Sequence, residues 1–226
     1  MITGETLARS PLLRGFAEED LARLAGAARR RTYRRGEVIV HQGDPGDALY
    51  LLQSGRVKIA LRAESGEEAV VAILGPGDCF GELSLIDGEP RSAAVEALEP
   101  VESVSLGRGD FLRFVRANPR TMERLLRTLA GTIRRANGEL ADLVFLDLHG
   151  RLVKKLLDLA ADHGQLADGA IEIQLPITQE DLAAMIGATR ASVNKVLGWY
   201  EECGAIQRRG RRIAILDADR LRRRIT

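Results

Sequence analysis

Seven apolar residues between Met122 and Leu143 recur in alternating steps of four and three: Met122, Leu126, Leu129, Ile133, Ala136, Leu140 and Leu143. That period belongs to one long helix. The Arg and Glu residues beside it are what a stripe shared between two helices carries at its edges. Asn118-Pro119, just ahead, supplies an N-cap and a first helical position. A helix packed on its own domain needs no such regularity. A seam unbroken over three heptads predicts a second copy of the same helix opposite it, and hence a two-fold dimer.

The chain before this helix has another period. Residues 5–30 read as short helices, with Pro11 in an opening turn and Leu21, Leu24, Ala25 and Ala28 at helical spacing. From Gly36 onward, short β-rich runs alternate with turn residues: Val38–Val40, Ala48–Gln53, Val57–Arg62, Ala69–Leu74, Ala93–Ala97 and Val101–Leu106. Within Val57–Arg62, the residues Val57, Ile59 and Leu61 are expected inward and Lys58 and Arg62 outward. Strands of this length and spacing predict a small barrel or roll. Asp110–Ala117 reads as a short helix leading to the long one.

The stretch Cys79–Ala97 has the makings of a closed phosphate pocket. Gly81 lets a backbone N–H approach an anion with no side chain in the way. Glu82–Ile86 can form one helical turn whose free N–H groups favour a bound phosphate. Asp87-Gly88 turns the chain, Pro90 stiffens it, and Arg91 adds a permanently charged fork suited to phosphate oxygens. Glu82 would be badly placed beside a phosphate unless it had its own work, such as accepting from a ribose hydroxyl. One anion site with a carboxylate beside it points to a nucleotide with a free 2′-OH. The plain alternative is a β-turn carrying a surface ion pair between Glu82 and Arg91.

The string Gly-Glu-Leu-Ser-Leu at 81–85, followed by Pro-Arg-Ser-Ala at 90–93, resembles the phosphate-binding cassette of cyclic-nucleotide-binding domains. The rest of the chain resembles one family carrying that domain, the cyclic-AMP receptor protein (CRP/FNR) transcription regulators. The resemblance implies an α+β architecture in three parts. These are a cyclic-nucleotide-binding β-roll domain in 1–117, a dimerisation helix and hinge in 118–146, and a winged helix-turn-helix in 147–226. It implies ligand contacts from Gly81, Glu82, Leu83, Ser84, Arg91 and Ser92. Ala136 and Asn137 would face the purine, where the family's best-known member has Thr-Ser. Small Ala136 leaves room, and Asn137 can both donate and accept. Ser92 stands where threonine is common in cyclic-GMP-selective relatives. With Asn137 it predicts cyclic AMP as effector rather than cyclic GMP, and no cofactor is expected. Phe145-Leu146-Asp147 matches the family's hinge, with Asp147 capping the next helix.

Beyond the hinge, Leu148–Ala161 reads as a helix and Ala170–Leu175 as a strand. Thr178 to Asp181 is a capping-box start, with Leu182, Met185 and Ile186 on the buried face and Gly187 at a tight turn. Thr189 caps a second helix with Val193, Val196, Leu197 and Tyr200 on one side and Arg190, Ala191, Asn194 and Lys195 on the other. Two such helices predict a helix-turn-helix whose second member reads DNA. Ile206–Ile215 reads as a hairpin with four arginines at its tip, a wing suited to phosphates. The expected DNA contacts are Thr178, Gln179, Thr189, Arg190, Ala191, Ser192, Asn194, Lys195, Arg208, Arg209 and Arg211. The family's recognition helix carries Arg-Glu-x-x-x-Arg. Here Arg190 keeps the fork for guanine and Lys195 a point donor, whereas Ala191 cannot accept from cytosine N4.

Composition narrows the alternatives. The net charge of the 226-residue chain is only +1, so nucleic-acid binding needs a local basic patch. Residues 186–226 supply one, with ten Arg or Lys against four Asp or Glu. Cys79 and Cys203 are far apart with no CxxC, which argues against disulfides, structural zinc and iron–sulfur clusters. His41, His149 and His163 share no ligand spacing, so no metal site is expected. The chain has no nucleophile–base pair and no Gly-x-Ser-x-Gly, so no enzyme is expected. No apolar run approaches the ~18 residues of a membrane span, and the N-terminus lacks a signal peptide's apolar core, which predicts a cytoplasmic protein. The expected partners are palindromic double-stranded DNA, a second copy of the chain and RNA polymerase, with no membrane. Two other readings stay open: a same-fold regulator active without a nucleotide, and a cyclic-nucleotide-binding module regulating a partner protein.

Overall fold

A computed structural model describes residues 2–210 and 212–225. The chain divides into two compact units, residues 1–134 and 135–226. The first holds α1 (Gly4–Ala8), α2 (Glu18–Ala27), β1 (Arg29–Tyr33), β2 (Val38–Val40), β3 (Ala48–Ser54), β4 (Val57–Arg62), β5 (Glu68–Leu74) and β6 (Cys79–Phe80). A short helix α3 (Glu82–Asp87), β7 (Ala94–Ala97), β8 (Val101–Gly107) and α4 (Arg108–Ala117) follow, and then the long α5 (Pro119–Phe145). The second unit continues with α6 (Leu148–His163), β9 (Gly164–Ala167), β10 (Ala170–Ile173), α7 (Gln179–Ile186), α8 (Arg190–Glu202), β11 (Ile206–Arg209), β12 (Arg212–Ile215) and α9 (Ala218–Arg222). The architecture is α+β, as expected.

Two four-stranded antiparallel sheets, ordered β1-β8-β3-β6 and β2-β7-β4-β5, make the β-roll. Val40, Leu52, Val57, Phe80, Val95, Ala97 and Val101 form a core drawn from both sheets. Leu49 and Leu51 of β3 point to the opposite face, where Val104 and Leu106 pack with Leu21, Leu24, Phe111, Phe114 and Leu125. Strand β3 is therefore buried on both sides, which is why its sequence is an unbroken apolar run rather than an alternation.

Several expectations change. The alternation expected for Val57–Arg62 does not hold: Val57 and Ala60 are buried, Ile59 is half-buried, and Leu61 is exposed. The extra residue at the register shift lies in the neighbouring strand, where Val71 of β5 has no partner and Ala60 is set opposite buried Val70. Ala60 is 2 % exposed and Leu61 turns outward (42 %). Strand β1 starts in the last two residues of the span read as helical and runs on to Tyr33. Its Arg-Arg-Arg-Thr-Tyr sequence has no apolar period, and it exists because its backbone pairs with β8 from Arg29↔Ser105 to Tyr33↔Val101. Strand β9 was also unforeseen. It pairs with β10 around the Asp168-Gly169 turn, where both residues have positive φ (50° and 76°). Asn118 closes the helix behind it instead of capping the one ahead, its Nδ2 donating to Phe114 O at 3.0 Å. Among the described residues no helix is long and apolar enough to cross a membrane.

The burial of Ala60 beside exposed Leu61 gives a direct test. Leu61→Ser should leave stability within about 0.5 kcal/mol, whereas Ala60→Leu, one residue away, should lose about 1–3 kcal/mol by overpacking. Urea unfolding of the two variants checks this; strict alternation through β4 would give the reverse order.

Candidate functional site

Arg91 lies at the centre of the first candidate site. It is 5 % exposed, and its fork is held by main-chain oxygens: Nη1 donates to Gly81 O at 2.9 Å and Nη2 to Ala48 O at 2.7 Å. Gly81 opens α3 with φ 87°, and a methyl group there would strike the Arg91 guanidinium and stand 2.9 Å from Ala48 O. A side chain at this position is excluded both by its φ and by its neighbours. The loop at 43–47 runs alongside, since Arg91 N donates to Asp44 O and Gly43 N to Arg91 O, both at 2.8 Å. Within that loop, a methyl on Gly46 would overlap the buried Ser84 side chain and stand 3.2 Å from Arg91 Nε. Tyr50, stacked on Phe80 with ring centroids 4.9 Å apart, presents its face 5.9 Å from the guanidinium carbon.

The structure brings Gly81, Glu82, Ser84 and Arg91 together, with Leu83 and Ser92 exposed at the margin. Gly46, Ala48 and Tyr50 were missed. Gly46 could have been suspected from the Gly-Asp-Pro-Gly turn; Ala48 contributes only a carbonyl, which no sequence pattern marks. Ala136 and Asn137 are exposed on the part of α5 that belongs to the second unit.

The electrostatics follow from burial. Among the described residues no carboxylate forms an ion pair with Arg91, so its charge is met only by neutral acceptors. That is a costly arrangement, and one an incoming anion would relieve. Burial raises the pKa of half-buried Glu82, offset in part by its own main-chain N–H and by Arg91. Cys79 is pushed up to about 12 by burial, then by Glu82 and Asp78, which leaves an inert thiol.

The second site is the helix pair α7–α8. Thr178 Oγ1 accepts from Asp181 N (3.1 Å) while Asp181 Oδ2 accepts from Thr178 N (2.8 Å), the expected capping box. Gly187 turns the chain with φ 61°, and Thr189 Oγ1 accepts from Ser192 N at 3.2 Å to start α8. Leu182, Ala183 and Ile186 are buried with Val193, Val196, Leu197 and Tyr200, while Met185 is only half-buried. Thr178, Thr189, Arg190, Ala191, Asn194 and Lys195 are exposed, and Gln179 and Ser192 half-exposed. In the wing, Arg209 is exposed with Nε bonded to Gln207 Oε1 (2.9 Å). Arg208 instead turns back onto α8, its guanidinium on Glu201. Arg211 lies outside the described residues.

The segment around Asp147 is tied to this helix pair. Asp147 caps α6 by accepting from Gly150 N at 2.8 Å, and it pairs with Arg224. The Gly150 N–H chiefly, with Arg224, holds its carboxyl below the usual range. Arg151 donates to Leu146 O and to Ile186 O, both at 3.0 Å. His149 packs against Trp199 and Tyr200 of α8, with ring centroids 5.7 and 5.8 Å away.

Comparison with known proteins agrees with this division. Residues 30–118 match the cyclic nucleotide-binding domain family and residues 150–224 the Crp-like helix-turn-helix domain family. The chain is 39 % identical over 220 residues to a CRP-like cAMP-activated global transcriptional regulator of Mycobacterium tuberculosis, covering 97 % of this chain and 98 % of the relative. It is 37 % identical over 198 residues to the cyclic AMP receptor protein of Thermus thermophilus, covering 88 % of each. Among solved structures, FixK2 from Bradyrhizobium japonicum superposes with a TM-score of 0.78 at 22 % identity, over 88 % of this chain and 98 % of that one. That last likeness shows the fold alone.

Glu82 makes the site pH-sensitive. Its folded pKa is raised above the unfolded value, so its contribution to ligand-free stability is complete below the ordinary carboxylate range and lost as pH rises through the folded pKa. Glu82→Gln should remove that loss. The variant should be the more stable above this window and lose its advantage below it, as read by urea unfolding across pH without ligand.

Proposed function

This chain belongs to the cyclic-AMP receptor protein (CRP/FNR) family of transcription regulators, and on that premise we propose that it is a homodimer whose DNA binding is controlled by cyclic AMP. The observation that carries this reading is the buried Arg91 guanidinium, held ready by two carbonyls and lacking a carboxylate partner among the described residues. A cyclic phosphate would supply the missing anion, with Ser84 beside it, and Glu82 would accept from the ribose 2′-OH. The purine would meet Ala136 and Asn137. The dimer would form along α5, where Leu126, Ile133 and Leu140 are 59 %, 61 % and 62 % exposed at heptad spacing. The nucleotide would bias the hinge at 145–147 and thereby the spacing of two recognition helices, about 34 Å apart on a palindrome. Such a switch requires the nucleotide to bind one state better than the other. The protein would act in the cytoplasm with RNA polymerase as a further partner, by binding alone and without catalysing a reaction. The lack of a hydroxyl at Ala136 favours a second reading, a regulator of this fold that binds DNA without a nucleotide.

Calorimetric titration decides between them. Cyclic AMP should bind, and more tightly than cyclic GMP, while Arg91→Leu should lose about 2–5 kcal/mol of that affinity. Ligand-free stability should change little in this variant. The relief of a buried cation offsets two carbonyls left unpaired at about 1–3 kcal/mol each. Wild-type affinity in Arg91→Leu would refute the site, and DNA binding indifferent to cyclic AMP would select the second reading.

Recognition can be tested separately. Ala191 offers only a methyl where the family's glutamate accepts from cytosine, so specificity at that base pair should be relaxed. Ala191→Glu should raise discrimination there by about 1–3 kcal/mol. Gel-shift competition with every base at each half-site position measures it, and strict cytosine preference in the unmodified protein would contradict it.

A further inference from the structure

A wing arginine ordinarily reaches for phosphate, but Arg208 is already engaged. Its main-chain N–H donates to Glu201 Oε1 and its Nε to Glu201 Oε2, both at 2.8 Å, with Nη2 2.7 Å from the same Oε2. Its Nη1 donates to Asn194 Oδ1 at 2.7 Å. Asn194 and Glu201 are two turns apart on α8 and share one of its faces. The wing strand β11 is thus pinned along the recognition helix by one side chain. The bonds from Arg208, its main-chain N–H first, hold the Glu201 carboxyl below its usual range, so the anchor stays charged.

The bond to Asn194 has a chemical consequence. A guanidinium has donors and no acceptor, so the amide atom facing it must be the oxygen. Asn194 is exposed, among the residues expected to reach base edges, and its Nδ2 keeps both N–H donors. A free asparagine reads adenine by accepting from N6 and donating to N7. The oxygen retains a second lone pair, but a positive charge bonded to it opposes the approach of another N–H.

We propose that Arg208 is a specificity-determining positioning residue, which converts Asn194 from an adenine reader into a donor-only side chain matched to the O6 and N7 acceptors of guanine. This rests on α8 being the base-reading helix.

The test uses the full-length protein, with and without cyclic AMP, against duplexes carrying each base at every half-site position. The unmodified protein should prefer guanine to adenine at the pair Asn194 meets. Arg208→Met should shift that ratio about tenfold toward adenine at this one pair, the worth of a single base contact. Asn194→Ala leaves the Arg208–Glu201 pair intact; it should abolish the preference and make Arg208→Met silent there, as coupled residues require. A uniform loss of affinity in Arg208→Met with the base profile unchanged would overturn the proposal, as would additive effects of the two substitutions. Arg190→Ala separates the premise from the proposal. If it leaves the profile unmoved, α8 is not the reader and the proposal falls with it; if it relaxes one guanine while Arg208→Met moves no pair, the proposal alone fails.

Discussion

Burying a guanidinium costs several kcal/mol unless its N–H groups are met, and the first unit meets that of Arg91 with main chain rather than with an opposite charge. The choice of partner shapes everything near it. Two carbonyls must be aimed inward, from Gly81 at the start of α3 and from Ala48 at the start of β3, and that geometry leaves no room for side chains at 81 or 46. The carbonyls are fixed by the strand and the helix they terminate, so the fork is oriented before any ligand arrives. An anion arriving there meets a charge whose desolvation has already been borne in folding. That is preorganisation in its electrostatic form.

A carboxylate partner would have made a more stable domain and a poorer receptor. Glu82 is near enough to attract Arg91 yet forms no ion pair with it, and its own burial raises rather than lowers its pKa. The two charges of the cassette are thereby kept apart.

Features that bury apolar surface or break the chain were readable in the sequence. The long helix, the helix pair with its capping box and glycine turn, and most strands all leave a period or a breaker residue. Strand β1 and Ala48 do not, because they act through backbone groups common to every residue. The burial of Ala60 and the exposure of Leu61 are hidden for another reason: Val-Lys-Ile-Ala-Leu-Arg fits plain alternation, and the residue that breaks the register, Val71, lies in the neighbouring β5. Arg208 belongs to a third kind. Its charge was visible, but a charge in sequence does not say whether it faces phosphate, solvent or a carboxylate brought near by the fold.

In the second unit the start of α6 is held by several weak interactions rather than one strong one. The Asp147–Arg224 pair is about half exposed at both ends, and an exposed pair contributes only about 0.2–1 kcal/mol. The cap on Gly150 N is of similar size, about 0.5–2 kcal/mol. Arg151 adds neutral carbonyl contacts to Leu146 and Ile186, and His149 adds ring contacts to α8. Coupling free energies between sites are themselves about 1–3 kcal/mol. Contacts of that same size join residues 146–151 to both helices of the pair, and under the proposed control an effector would have only to redistribute them, without unfolding the unit. A deeply buried ion pair in the same place would exceed a coupling energy of that size and hold the start of α6 in one state.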